Sequence, residues 1–523
     1  MNQQSQESRN RIFSATFIVV IATLLSKISG LIRDQITASY FGISFDTDAF
    51  TWAYFIPNLF RVIFVESVIV AAFVPVYMNY LKENNKKGMD DFVSSVTNIL
   101  VITSILISLL IFIFSAPIGG FLSRISGNNL DIAKFTLMNR IMIFSLVLMS
   151  LSGLFTSILN SNNKFTIPAI APLVMNVISI IFVIALAGKI GIISMAIGII
   201  IGSVLEVIIQ IPQLRESNFK YKLKIDFKNK AVREIFSMMV PIMLSIGAVQ
   251  INNSIDNFFA LNLGAGNTTA LTFSWRVANL PLGVFSVAII TVLYPLISMQ
   301  AANMNLKGLK ESFSLGCREI GYIMIPASVG MIILSNPIIK VLFERNQFTA
   351  ADTLKVANIL VFHCAGLVFF GLLMMLNRIF YSFKDVKTPL KVASFSMIVN
   401  FALDWLLIKV IGVAGVALST SLVAVINAII LIIIFRKRAG NLDGKRILTS
   451  YLKIIVSTII MGAVVFFLWK LLYKYFYSST FMIIILLFIL IVVGAGIYIT
   501  LTYFLKMEEI KFVFKTLKDR VTK

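Results

Sequence analysis

Two cysteines and one histidine among 523 residues give no basis for a disulfide frame, a thiolate metal site or a Ser-His relay. Cys317, Cys364 and His363 all fall in apolar runs, where buried helix residues are expected. The chain has no G-x-x-x-x-G-K-[ST], no Gly-rich loop opening on a strand and no H-E-x-x-H. Nucleotide-driven pumping within the chain and zinc proteolysis are therefore excluded. No acid, base and metal set for catalysis can be assembled from the remaining residues, and the chain is not expected to be an enzyme.

Charge is scarce as well. Only 13% of residues are charged against 58% hydrophobic, and the mean hydropathy is +0.91. A soluble domain could not hide that much apolar surface, so the fold class is an all-α polytopic membrane protein. The apolar runs are continuous, which excludes a transmembrane β-barrel with its short alternating segments. The net charge of +22 comes from lysines and arginines in short loops between spans, a pattern that argues against a nucleic-acid partner. The polar start MNQQSQESRNR leads into an apolar run without a small-residue cleavage site, as in a retained first helix.

Runs long enough to cross a bilayer, about 20 apolar residues, lie at 12–40, 48–80, 91–115, 132–159, 166–187, 191–214 and 232–262. Others follow at 268–299, 312–336, 352–382, 389–410, 413–435, 448–472 and 481–505. The pattern predicts about fourteen helices. With the N-terminus inside, alternate loops carry Lys82, Lys86 and Lys87, the basic stretch from Arg215 to Arg233, and the stretch from Arg436 to Arg446. The opposite loops hold single charges such as Arg124, Lys189 and Lys409. The positive-inside rule then places both termini in the cytoplasm.

An internal repeat recurs at an offset of about 221 residues. Asn58-Leu59 matches Asn279-Leu280, Phe64 matches Phe285, and Pro168 matches Pro389. Six expected helices separate the copies, so both have one topology and are related by an axis along the membrane normal. The predicted organisation is a lobe over 1–220, a second over 221–440, and a last helix pair with a basic tail over 441–523. Two facing six-helix lobes make a transporter with a midplane site. The linker near 215–233 reads as solvated and headgroup-facing.

Two constellations could carry chemistry. Lys27, Arg33, Arg61 and Arg276 lie within apolar spans, where an ionisable group costs a few kcal/mol or more and marks a pathway. Arg33, Arg61 and Arg276 sit roughly 10–20 Å deep at 1.5 Å per residue. Ser26, Gly30 and Arg33 share a small, polar helix face. Such cations suit a multiply charged anion such as a pyrophosphate, which arginine grips with two donors. The alternative is that they only pair with Asp34, Asp48 and Glu66.

The second constellation is acidic. Asn400 and Asp404 are i, i+4, as are Val416 and Thr420, and Asp256 lies at a matching depth. Converging oxygens suit a hard cation, here Na⁺, or a proton on a carboxylate. Polar clamps between helices would look the same. Glu206 reads as a local hydrogen-bond partner, and Pro57, Pro75, Pro281 and Pro295 as kinks.

The stretches SKISGLIRD (26–34), TDAFTWAYFIPNLFRVIF (47–64), AFVP (72–75), ILNSNNKFTIPAIAPLVMN (158–176), LFERNQFTAADT (342–353) and FYSFKDVKTPLKVA (380–393) together resemble the MurJ/MviN family of lipid II flippases. These belong to the multidrug/oligosaccharidyl-lipid/polysaccharide exporter superfamily. The resemblance implies alternating access that carries undecaprenyl-pyrophosphoryl disaccharide-pentapeptide to the outer leaflet for peptidoglycan synthesis. It implies substrate contacts at Ser26, Lys27, Arg33, Asp34, Asp48, Arg61, Asn176 and Arg276. It places a Na⁺ site among Asp256, Asn400, Asp404, Val416 and Thr420, with no other cofactor. A monomer in the bacterial cytoplasmic membrane is implied, working beside cell-wall synthesis machinery, with the last two helices flanking a groove for the lipid tail. Position 27 is Lys where the family usually has Arg, and Val62 stands where a second arginine usually follows Arg61. A flippase for another polyprenyl-linked glycan (capsule, teichoic or exopolysaccharide precursor) is the nearest alternative. A cation-coupled multidrug antiporter would favour acidic and aromatic cavity walls, and a scaffold or receptor would keep its charges at helix ends.

Overall fold

The apolar runs fold into helices in the computed structural model, which describes residues 25–63, 73–83, 86–127, 130–216, 221–476 and 479–510. No strand occurs among the described residues. Glu66, the first half of the first expected span and the basic tail beyond 510 lie outside them. The chain divides into two compact units. The first is Met1–Ile251 with Gly264–Thr269 and Arg345–Phe348, and the second is Asn252–Leu263 with Ala270–Glu344 and Thr349–Lys523.

In the first unit, α1 covers 25–41, followed by α2 (Phe45–Arg61), α3 (Val74–Lys82), α4 (Lys86–Ile125) and α5 (Ile132–Met142). Then come α6 (Ser145–Ser161), α7 (Thr166–Ile190), α8 (Ile193–Ile208) and α9 (Ile211–Arg215). The helix α10 (Lys230–Asn262) ends in the second unit, and α11 (Asn267–Pro281) belongs to the first unit up to Thr269 and to the second from Ala270. After a π-helical turn, Leu282–Ser286, come α12 (Val287–Ala302), α13 (Leu306–Ile333), α14 (Ser335–Phe343), α15 (Ala350–Ala365) and α16 (Leu367–Ser382). The unit closes with α17 (Lys387–Ile411), α18 (Val413–Ala439), α19 (Gly444–Phe476) and α20 (Thr480–Phe504).

Among the described residues, ten helices are long and apolar enough to cross a membrane. The count is eleven if α15 and α16, bent by 46° at Gly366, form one broken span. Fourteen were expected. The remaining three positions are explained by the chain itself. The first two spans run into residues that are not described, and α10 is thick with polar groups from Gln250 to Asn257.

The repeat is visible as a duplicated hairpin. Helices α7 and α17 are each 25 residues long and start and stop 221 positions apart. Each ends on a glycine in the left-handed region, Gly191 (φ 60°) and Gly412 (φ 61°), where a side chain would be strained. The following helix packs back at close range. A Cβ on Gly198 would come within 2.9 Å of Ser179 Cα, and one on Gly415 within 2.6 Å of the Leu407 carbonyl carbon. Small residues thus let the helices touch where lipid supplies no hydrophobic drive.

Helices α2 and α12 run through Pro57 and Pro295 without a break. At Pro281 the missing N–H coincides with the π turn, which shifts the helix register before α12 begins.

The last helix pair, α19 and α20, is fastened to α13 by polar clamps in an apolar surround. The Tyr322 hydroxyl lies 3.0 Å from Thr502 Oγ1, and the Tyr498 hydroxyl donates to the Tyr322 carbonyl at 2.8 Å. Arg318 donates to Glu509 at 2.7 Å, both side chains being buried, and Ser450 donates to the same carboxylate at 2.8 Å. Arg446 ties Glu508 to the start of α19.

Candidate functional site

The cations of the first unit are held by specific partners. On α1, Arg33 is buried. Its Nη2 donates to Asp34 Oδ1 at 3.1 Å and its Nη1 to Asn176 Oδ1 at 3.2 Å. Asn176, on α7, turns its amide nitrogen back to α1 and donates to Ser29 Oγ at 3.0 Å and to the Ser26 carbonyl at 3.3 Å. Asn176 therefore clamps α1 to α7 and aims the guanidinium at once. Gly30 sits beside this clamp, since a Cβ there would lie 3.6 Å from Asn176 Nδ2. Ser26 takes part through its backbone, and Lys27 is exposed on the same helix.

Arg61 closes α2, where the Asn58 of the P-N-L-x-R stretch accepts from its Nε at 3.0 Å. On α8, the Glu206 carboxylate accepts from Ser152 Oγ at 2.8 Å. Glu206 is thus the hydrogen-bonded acid expected.

Asp48 is fully buried and does a different job. Its carboxylate accepts from the Gly266 N–H at 2.7 Å and from the N–H and hydroxyl of Thr269, both at 2.8 Å. It satisfies donors at the start of α11, where an anion is favoured by the helix dipole. Beside it, Gly266 (φ +73°) packs on the Ile43 backbone, too close for a Cβ. Gln347 N donates to the Ser39 carbonyl at 3.0 Å, which anchors Arg345–Phe348 in this unit. Arg276 lies on α11 in the second unit and is half-buried.

The acidic constellation comes together within the second unit. Thr420 Oγ1 donates to Asp256 Oδ2 at 2.9 Å and lies 3.0 Å from the Val416 carbonyl. Asn400 Nδ2 donates to Ser419 Oγ at 3.2 Å. The carboxyl groups of Asp256 and Asp404 are close enough to act on each other. Asp256, Asn400 and Asp404 are all buried. Yet among the described residues Asp256 Oδ1, Asn400 Oδ1 and both Asp404 oxygens meet no hydrogen-bond donor. Buried acceptors left this way cost free energy unless a cation or proton meets them. The donor set is entirely hard oxygen, the chemistry that suits Na⁺ or H⁺ rather than a soft metal.

Sequence reasoning missed Asn252 and Ser419 here. Asn252 is four residues before Asp256, donates to Ser396 Oγ at 3.4 Å, and its own Oδ1 meets no donor among the described residues. The i, i+4 spacing was a usable signal. Ser419 lies on the next helix, and only the packing of α17 on α18 brings it to Asn400. His363 and both cysteines are buried, and the imidazole lies 2.8 Å from Ser274 Oγ.

The family model described as Lipid II flippase MurJ matches residues 37–487. A protein of Buchnera aphidicola subsp. Acyrthosiphon pisum named probable lipid II flippase MurJ is 31% identical over 454 residues, covering 86% of this chain and 88% of that one. One of the same name from Vibrio cholerae is 28% identical over 435 residues, covering 80% and 82%. A solved structure of lipid II flippase MurJ in an inward closed conformation superposes with a TM-score of 0.77 at 29% identity, covering 94% of this chain and 99% of that one. An inward-facing MATE family multidrug transporter of the MOP superfamily superposes at 0.66 with 15% identity, covering 82% and 99%, a likeness of fold alone.

Proposed function

As this chain belongs to the lipid II flippase MurJ family, we propose that it carries lipid II from the inner to the outer leaflet of the cytoplasmic membrane by alternating access. The observation that carries the reading is Arg33, a buried guanidinium in an apolar helix, held by one carboxylate and one amide. A single buried carboxylate balances the charge but uses only part of the fork's five donors. The remainder suits a pyrophosphate, which offers oxygens in pairs. Arg61, steadied by Asn58, and Arg276 supply further positive charge, and Lys27 adds an exposed cation on α1.

No bond is made or broken in this mechanism. The cations neutralise the pyrophosphate while the polyprenyl tail stays in lipid, so only the polar head group needs a shielded route. Asn176 and Asp34 keep Arg33 oriented through the cycle, and Asp48 holds the turn before α11. The basic loops support a reading with both termini in the cytoplasm. The oxygens of Asp256, Asn400, Asp404, Val416 and Thr420 fit a sodium ion. A bound ion would be held by these oxygens and would supply the positive charge that balances the two buried carboxyl groups.

The test is translocation of labelled lipid II into vesicles holding the purified protein, with sodium and membrane potential varied separately. Arg33→Ala and Arg276→Ala are expected to abolish transport while the protein still inserts. Normal transport by both would end the proposal.

A further inference from the structure

Each unit contains a partly open cavity, of about 490 Å³ in the first and about 510 Å³ in the second. Four of the eight residues lining the first have their repeat mates in the lining of the second. Leu151, Ile211 and Arg215 line the first, and Leu372, Ile432 and Arg436, each 221 residues later, line the second. Tyr221 and Leu442 form a fourth such pair. The repeat has thus kept an apolar cavity with an arginine at its rim in both halves of the chain. Neither cavity includes any residue of the substrate or ion sites described above.

Both arginines are exposed, and neither side chain has a hydrogen-bond or ion partner among the described residues. The nearest acids in sequence are engaged elsewhere. Glu216 takes Lys164 at 2.9 Å, and Asp443 accepts from Ser314 at 3.0 Å. A helix C-terminus alone favours a cation. It does not explain an apolar cavity of ligand size beneath each one. The rim of the second cavity adds Lys445, also exposed. Each cavity lies at the basic end of a helix long and apolar enough to cross a membrane, the end that the positive-inside rule assigns to the cytoplasmic side.

We propose that these are two equivalent sites for an anionic phospholipid, one in each unit. An acyl chain fills the apolar wall, and the phosphate meets Arg215 in one site and Arg436 with Lys445 in the other. Basic pockets between membrane helices on the cytoplasmic side are where anionic headgroups are held.

The test is native mass spectrometry of the full chain released from bilayers of mixed phosphatidylglycerol and phosphatidylcholine. The wild type is expected to retain two phosphatidylglycerol molecules in preference to phosphatidylcholine. Arg215→Gln and Arg436→Gln should each weaken retention at one site about fivefold, the effect of one basic residue near a headgroup. Leu151→Trp, which fills the first cavity from within, should remove one lipid without changing a charge. Equal retention of the two lipids by the wild type would overturn the proposal, a result that needs no variant to fold. So would full phosphatidylglycerol retention by the Arg215→Gln/Arg436→Gln double variant, or displacement from both sites by a polyprenyl phosphate.

Discussion

Asn176→Ala tests whether Arg33 is positioned by its partners or merely buried. The substitution deletes the acceptor for Arg33 Nη1 at 3.2 Å and the donor to Ser29 Oγ and the Ser26 carbonyl at 3.0 and 3.3 Å. A hydrogen bond to a charged group is worth about 1.5–3 kcal/mol and each neutral one about 0.5–1.5 kcal/mol. Water can enter part of the space, and Asp34 still holds the other side of the guanidinium. A net loss of about 2–4 kcal/mol is therefore expected, some of it in fold stability. If about 2 kcal/mol appears as disorder of Arg33, the correctly aimed population falls about thirtyfold. The assay is the initial rate of lipid II translocation in vesicles, with thermal unfolding of the same preparation alongside. The expected result is a lower melting temperature and a rate at least tenfold down. Unchanged rate and melting temperature would refute the clamp.

Three further predictions follow from other contacts. Asp48→Ala removes the acceptor for two N–H groups and one hydroxyl at the start of α11 and should cost about 2–3 kcal/mol of stability, read by thermal unfolding; the loss should be nearly as large in Asp48→Asn, which cannot accept at both oxygens. Glu509→Ala leaves Arg318 buried with, among the described residues, only the more distant Glu508 at 3.2 Å as a hydrogen-bonded acid, and should destabilise by about 3 kcal/mol; limited proteolysis should then cut near α19 and α20 first. The Glu508 carboxyl, beyond the last span, is held below its ordinary range by the Arg446 hydrogen bond, opposed in part by burial. Its contribution is therefore present above the usual carboxylate pKa and lost as pH falls through the depressed value, so Glu508→Gln should flatten the acid side of the stability profile, and an unchanged profile would count against the pair.

Much of the architecture was legible because it is periodic. The repeat offset read from Asn58, Asn279, Pro168 and Pro389 is the offset separating α7 from α17. Asn400, Asp404, Val416 and Thr420 were visible through i, i+4 spacing, and Asp256 through its equal depth. What could not be read was pairing across long separations. Asn176 lies 143 residues from Arg33, Thr269 lies 221 from Asp48, and Glu509 lies 191 from Arg318. Nothing local distinguishes those side chains from neighbours of the same type, so only folding reveals them. The likeness of Asp48 to the other embedded charges is one such case, for it caps a turn.

The central claim is that this chain carries lipid II and that Arg33 is required for it. Its most direct test compares transport of lipid II with that of an undecaprenyl-pyrophosphate bearing a different glycan, in vesicles containing only the purified chain. Lipid II should cross well above the protein-free rate while the other lipid lags, and both should stop in Arg33→Ala. Lipid II crossing no faster than in empty vesicles, or slower than the other glycan lipid, would contradict the account.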